Sequence, residues 1–240
     1  MQIIMIRALI VDDELHAREE MATLVAETGA IDVIGTCGNG IDALKLINKL
    51  RPEVLFLDIQ MPVVDGFELL SMITPEFMPH VVFVTAYDHY SLKAFEEKTL
   101  DYLLKPVDPV RLAKTITKLQ QIIVDNCRPV YQTEEIRRIP CLLGNRIKLI
   151  DLDEVEFIAT SVAGVHTATA DTEYFTEVTL KVLEERTQLF RCHKQYLVNL
   201  NHIGEIILLE AGLAKIVTRS GKKIPISRRY LKLIKKKLLI

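Results

Sequence analysis

Two folds in tandem are predicted: an α/β domain built on a doubly wound, five-stranded parallel sheet, then a mainly β module. Two patterns in the 240 residues predict them. In the first half, short runs rich in Val, Ile and Leu alternate with stretches of helical spacing, as in a parallel sheet covered on both faces. Beyond about residue 136 the apolar runs shorten, many alternate with polar residues, and turn signals separate them. Charge divides at the same place. Residues 1–136 hold 12 Lys+Arg and 21 Asp+Glu, net −9, whereas residues 137–240 hold 18 and 11, net +7. Such polarity suits a second half that approaches a polyanion.

In order, Ala8–Val11, Val33–Gly35, Val54–Leu57, Val81–Val84 and Tyr102–Leu104 read as strands. Glu14–Glu27, Gly40–Leu50, Gly66–Ile73, Ser91–Lys98 and Pro109–Val124 read as the helices between and after them. In the last, Leu112, Ile116, Leu119 and Ile123 share one face. A linker follows over residues 126–136, marked by Asn126, Arg128-Pro129 and Gln132-Thr133. The second module carries expected strands at Arg146–Ile150, Val155–Ile158, Val165–Thr169, Tyr174–Thr176, Ile206–Leu208 and Ala214–Thr218. Turns are expected at Gly144-Asn145, Ala163-Gly164, Ala211-Gly212 and Ser220-Gly221, and helices at Leu180–Arg186 and Arg228–Leu239.

Composition narrows the class. With 49% hydrophobic and 26% charged residues the chain is globular rather than disordered. Cys37, Cys127, Cys141 and Cys192 show no CxxC and no metal-ligand spacing, and read as reduced cytosolic thiols, two of them in the core. The apolar start is interrupted by Arg7 and runs into Asp12-Asp13, which fits a first strand better than a signal peptide; Met5 is an alternative start. No transmembrane segment is expected, so a membrane signal has to arrive through another protein.

Chemistry concentrates at strand ends. Asp12-Asp13, Asp58, Thr85 and Lys105 each follow or close an apolar run, the edge where doubly wound sheets bind ligands. Taken singly, an acid there caps a helix and Lys105-Pro106 is a turn. Taken together, Asp12, Asp13 and Asp58 supply the hard oxygens that Mg²⁺ prefers. Asp58 is the nucleophile that becomes an acyl phosphate, Lys105 offsets charge on the transferred group, and Thr85 donates its hydroxyl to a phosphoryl oxygen. Tyr102 is a half-amphipathic ring able to swing inward as Thr85 moves. A cis Lys105–Pro106 peptide is expected to aim the ammonium.

These residues carry a resemblance. Val11-Asp12-Asp13-Glu14, Leu57-Asp58-Ile59-Gln60-Met61-Pro62, Asp65-Gly66, Val84-Thr85-Ala86 and Leu104-Lys105-Pro106 resemble the receiver domain of two-component response regulators, a flavodoxin-like fold, over residues 5–125. The resemblance implies that Asp58 takes a phosphoryl group from a membrane sensor histidine kinase, and that Gln60 offers its backbone carbonyl to Mg²⁺. A haloacid-dehalogenase-type phosphatase uses similar groups, but it needs a second Asp two residues after the nucleophile, where this chain has Gln60.

In the second half, Arg191–Leu200 and Ile224–Leu231 set basic and amide side chains beside strands, where they can reach base edges or phosphates. Lys235-Lys236-Lys237 reads as a solvated basic face. With Val155–Ile158 and the Ser161–Gly164 turn, these stretches resemble the LytTR DNA-binding domain over residues 137–240. That resemblance implies promoter double-stranded DNA as partner, with contacts from Ser161, Ala163, His193, Lys194 and Arg228, and a phosphate contact from Arg229. It further implies a cytoplasmic regulator that pairs into a homodimer when phosphorylated. A receiver with a protein-binding output module is the other reading.

Overall fold

The computed structural model describes residues 5–87, 99–125, 129, 131, 135–144, 146–210 and 213–239. The chain divides into two compact units, Met1–Glu134 and Glu135–Ile240.

In the first unit, strands β1 (Ile6–Val11), β2 (Ile31–Cys37), β3 (Val54–Leu57), β4 (His80–Thr85) and β5 (Asp101–Leu104) form one parallel sheet in the order β2-β1-β3-β4-β5. Every residue of β3 is buried, as the unbroken Val-Leu-Phe-Leu run requires of a central strand covered on both faces. Helices α1 (Leu15–Glu27), α2 (Gly40–Leu50), α3 (Gly66–Met72) and α4 (Pro109–Val124) connect or flank the strands. Three of them, α2, α3 and α4, start at a side-chain cap. Asn39 and Asp108 accept from the first-turn N–H groups of α2 and α4, and Asp65 and Glu68 form a reciprocal capping box on α3. Leu112, Ile116 and Leu119 of α4 are buried in the core with β1, β3, β4 and β5, and Ile123 packs against it. The expected helix Ser91–Lys98 lies outside the described residues. Past α4 the chain remains anchored to this unit: the Tyr131 hydroxyl accepts from the Val81 N–H at 2.7 Å and donates to the Pro79 carbonyl at 3.2 Å.

The second unit holds ten strands among the described residues, β6 (Arg138–Leu143), β7 (Arg146–Asp151), β8 (Phe157–Ser161), β9 (Gly164–Ala168), β10 (Glu173–Thr176), β11 (Phe190–His193), β12 (Tyr196–Val198), β13 (Ile203–Leu208), β14 (Ala214–Thr218) and β15 (Lys223–Ile226), with α5 (Leu180–Arg186) and α6 (Arg228–Leu238). They make a seven-stranded sheet, β11-β12-β8-β9-β10-β6-β7, and a three-stranded sheet, β13-β14-β15. Four of these strands, β6, β11, β12 and β15, were not expected. Pro140 in β6 is tolerated because β6 meets β10 at a single residue pair, Phe175 with Leu142. Pro225 is tolerated because β15 is the edge strand next to β14 and, among the described residues, pairs with no other strand. The start of β8 is also corrected, from Val155 to Phe157. Leu152–Glu154 forms a 3₁₀ turn, and Glu156 bonds to Thr218 and Ser220 far along the chain. Among the described residues Cys141 and Cys192 are core thiols and Cys37 is half-buried; Cys127 lies outside them.

Candidate functional sites at two sheet edges

Parallel pairing brings the carboxyl ends of β1, β3, β4 and β5 to one edge, so the residues just beyond them meet. Asp12 follows β1 and Asp58 follows β3, on neighbouring strands; the Asp58 N–H donates to the Val11 carbonyl at 2.8 Å. Both acids are almost fully buried, whereas Asp13 is exposed. Gly66, at the start of α3, packs directly on the backbone after β3, where a Cβ would stand 2.8 Å from the Asp58 carbonyl oxygen. Lys105 follows β5 and bridges the acids: its Nζ lies 2.6 Å from Asp12 Oδ2 and 2.8 Å from Asp58 Oδ2. The Lys105–Pro106 peptide is cis, as expected.

Burial pushes the Asp12 carboxyl above its usual range, against the hydrogen bonds from Lys105 and Glu14 that favour ionisation. Lys105 is also buried, which favours its neutral form, but bonds to Asp12 and Asp58 outweigh this and hold it charged. Asp12 takes one N–H, from Glu14 at 3.0 Å, yet the N-cap of α1 is Glu14 itself, so capping does not account for the acidic pair. Oxygens of Asp12, Asp13 and Asp58 lie within 4.8 Å of one another, a donor set of hard anionic oxygens that suits a divalent cation such as Mg²⁺.

Thr85, the last residue of β4, is fully buried; its carbonyl accepts from the Lys105 N–H at 2.9 Å, and among the described residues its hydroxyl has no hydrogen-bond partner, a costly arrangement for a buried polar group. Tyr102 is half-buried and donates its hydroxyl to the Tyr87 carbonyl, which ties β5 to the segment just after Thr85. Gln60 is exposed, and its N–H points to Asp58 Oδ1 at 3.3 Å.

The second edge lies in the antiparallel unit. The hairpin between β8 and β9 exposes Ser161, Val162 and Ala163, with the Ala163 N–H donating to Ser161 Oγ at 3.1 Å. Gly164 closes it at φ +112°, where an added Cβ would come within 2.5 Å of Phe175. The hairpin between β11 and β12 presents Lys194 and Gln195, and the Thr160 N–H donates to the Gln195 carbonyl at 2.9 Å, which sets the two turns side by side. Arg191 braces this turn: it donates from Nη1 to the Lys194 carbonyl at 3.1 Å and from Nε to Glu184 of α5 at 2.9 Å. His193 is half-buried, and burial together with the charge of Lys194 favours its neutral ring. Its Nδ1 accepts from the Gln195 N–H at 3.2 Å, which in the neutral ring places the proton on Nε2. The Ser227 N–H donates to the Cys192 carbonyl at 3.0 Å, so Arg228 and Arg229, both exposed, begin α6 beside His193. Three stretches far apart in sequence thus converge on one end of the module.

Residues 8–117 match the model of the response regulator receiver domain, and residues 145–239 match that of the LytTr DNA-binding domain. The chain belongs to the two-component response regulators that join a receiver to a LytTR DNA-binding domain, an organisation consistent with transcription regulation and not an enzyme kind. Its relatives run the full length. An uncharacterized response regulatory protein of Vibrio cholerae serotype O1 is 55% identical over 98% of this chain and 99% of its own. One of Yersinia pestis is 49% identical over 98% and 99%. The transcriptional regulatory protein BtsR of Escherichia coli K12 is 45% identical over 96% and 98%.

Proposed function

We propose that this regulator is switched by phosphorylation of Asp58 and reads promoter DNA through its second module. The observation that carries the reading is the meeting of Asp12, Asp13, Asp58 and Lys105 beside the unpartnered Thr85 hydroxyl. One Asp58 oxygen forms a P–O bond while the P–N bond to the phosphorylated histidine of a membrane sensor kinase breaks, and the leaving imidazole takes up a proton. Asp12, Asp13, Asp58 and the Gln60 carbonyl would hold a Mg²⁺ ion, which would supply positive charge to offset the negative charge on the phosphoryl oxygens. Lys105 shifts from its two carboxylates toward a phosphoryl oxygen. Thr85 donates its hydroxyl to another, and Tyr102, tied to the adjoining segment, responds.

The division of labour follows the expected segments: a receiver over 5–125, a linker over 126–136 and a DNA-binding module over 137–240. Phosphorylated copies pair into a homodimer, so that two modules hold paired half-sites and gain avidity without new base contacts. Ser161, Ala163, His193, Lys194 and Arg228 face the bases, and Arg229 faces a phosphate. The protein acts in the cytoplasm; among the described residues no helix is long and apolar enough to cross a membrane.

A salt titration of duplex binding, with and without a small acyl phosphate and Mg²⁺, tests the reading. Counterion release gives a steep fall of affinity with salt, and phosphorylation should tighten binding; a flat salt response favours a protein-binding output instead. Within that assay Arg228→Ala should weaken binding to a target promoter by about 1–3 kcal/mol. Unchanged affinity would remove Arg228 from base readout.

A further inference from the structure

Helix α6 carries more cations than the edge described above uses. Arg229, Lys232 and Lys236 recur at i, i+3 and i+7 and are exposed, so they form one line along the helix. On the opposite side Ile234 is fully buried, and Tyr230, Leu231 and Leu238 pack against the module core. Two features of this line are unfavourable for the isolated protein. Arg228 and Arg229 stand in the first turn, against the helix macrodipole, and that turn holds no acidic residue. The lysines repeat at spacings where like charges repel, and among the described residues no carboxylate forms an ion pair with Arg229, Lys232 or Lys236. An anionic partner relieves both.

Resting on the DNA-binding reading above, we infer that the Arg229–Lys232–Lys236 line of α6 is a second DNA contact, a ridge that follows the phosphate backbone away from the base-reading edge. The line starts at that edge, since Ser227, the N-cap of α6, is bonded to Cys192 beside His193. From Arg229 to Lys236 it runs for about 10 Å, the axial length of about three phosphates of one strand. A membrane fits less well: a helix lying in a lipid surface needs its apolar face free, and here that face is built into the core. The ridge therefore supplies sequence-independent affinity, while Lys194 and Arg228 supply discrimination.

The test uses the full chain, the double variant Lys232→Gln/Lys236→Gln, and a control, Lys215→Gln/Lys223→Gln, which removes two exposed lysines of the three-stranded sheet. Anisotropy of a labelled random-sequence 30-base-pair duplex, titrated across salt, reads the slope of log affinity against log salt. Each lost phosphate contact lowers that slope by about 0.9. The α6 variant should be shallower by about 2, so between 50 and 200 mM salt the parent loses about tenfold more affinity than the variant. The control should match the parent. Equal slopes for parent and α6 variant overturn the inference, as does an equal drop in the control, which would mark a general charge effect. So does loss of binding to phosphatidylserine vesicles by the α6 variant with its duplex slope unchanged. A parent that shows no salt-dependent duplex binding overturns the DNA-binding reading itself, and this inference with it.

Discussion

Replacing Asp58 with asparagine will reduce Mg²⁺-dependent phosphoryl labelling by a small acyl phosphate such as acetyl phosphate to background. Asparagine keeps the shape of the side chain and removes its nucleophilic oxygen. The neighbouring acids cannot take over. Asp12 Oδ2 is held by Lys105 at 2.6 Å and Oδ1 by the Glu14 N–H at 3.0 Å, while Asp13 is exposed. Asp58 directly follows central strand β3, which lies beside β4, the strand that ends in Thr85, and it is within reach of Lys105, just past β5. The variant should fold at least as well as the parent, since one of two buried carboxylates sharing one ammonium becomes neutral and Lys105 keeps Asp12. Labelling that persists in the asparagine variant, with acid-labile chemistry unchanged, would move the acceptor to another side chain.

How much of this was legible depended on what each element must do. A parallel sheet buries both faces, so its strands read as apolar runs, and β3 was found to the residue. The groups beyond those runs are few and chemically matched, which is why Asp12, Asp13, Asp58, Thr85 and Lys105 could be gathered from sequence. The β-rich module hides more. Pro140 and Pro225 broke the strand pattern of β6 and β15, although their ladders leave room for a missing N–H. β11 and β12 are short and carry Arg191, His193 and Tyr196, so they read as a basic stretch and not as a hairpin. That the three basic stretches share one edge depends on register, Tyr196 opposite Ala159 and Ser161 opposite Gly164, which no local pattern encodes. The Arg191–Glu184 brace and the Tyr131 anchor were likewise missed, because both partners lie on different elements.

Glu156 is the clearest case of a residue whose sequence context misleads, and its removal should have the largest effect on stability. An acid inside the expected strand Val155–Ile158 carries no local sign of a partner, yet Glu156 is 1% exposed. Its carboxylate accepts from Thr218 Oγ1 at 2.8 Å, the Ser220 N–H at 3.0 Å and Ser220 Oγ at 2.5 Å. These bonds fasten the start of β8, in the seven-stranded sheet, to the β14–β15 turn of the three-stranded one. Glu156→Ala should destabilise the module by about 3 kcal/mol, since hydrogen bonds to a buried charge are worth about 1.5–3 kcal/mol each and are not additive. In calorimetry that is a fall on the order of 10 °C in the module's transition, with receiver labelling retained. Acid should produce part of the same effect. Burial alone would raise this carboxyl, but the bonds from Ser220 and Thr218 outweigh it and hold it below its ordinary value. The stabilisation is therefore complete above the unfolded carboxyl's range and is lost as pH falls through the lower, folded value. Below about pH 5, the parent module should lose stability more steeply than Glu156→Gln. Parallel pH profiles would mean that Glu156 contributes packing alone and that the two sheets are joined by their apolar faces.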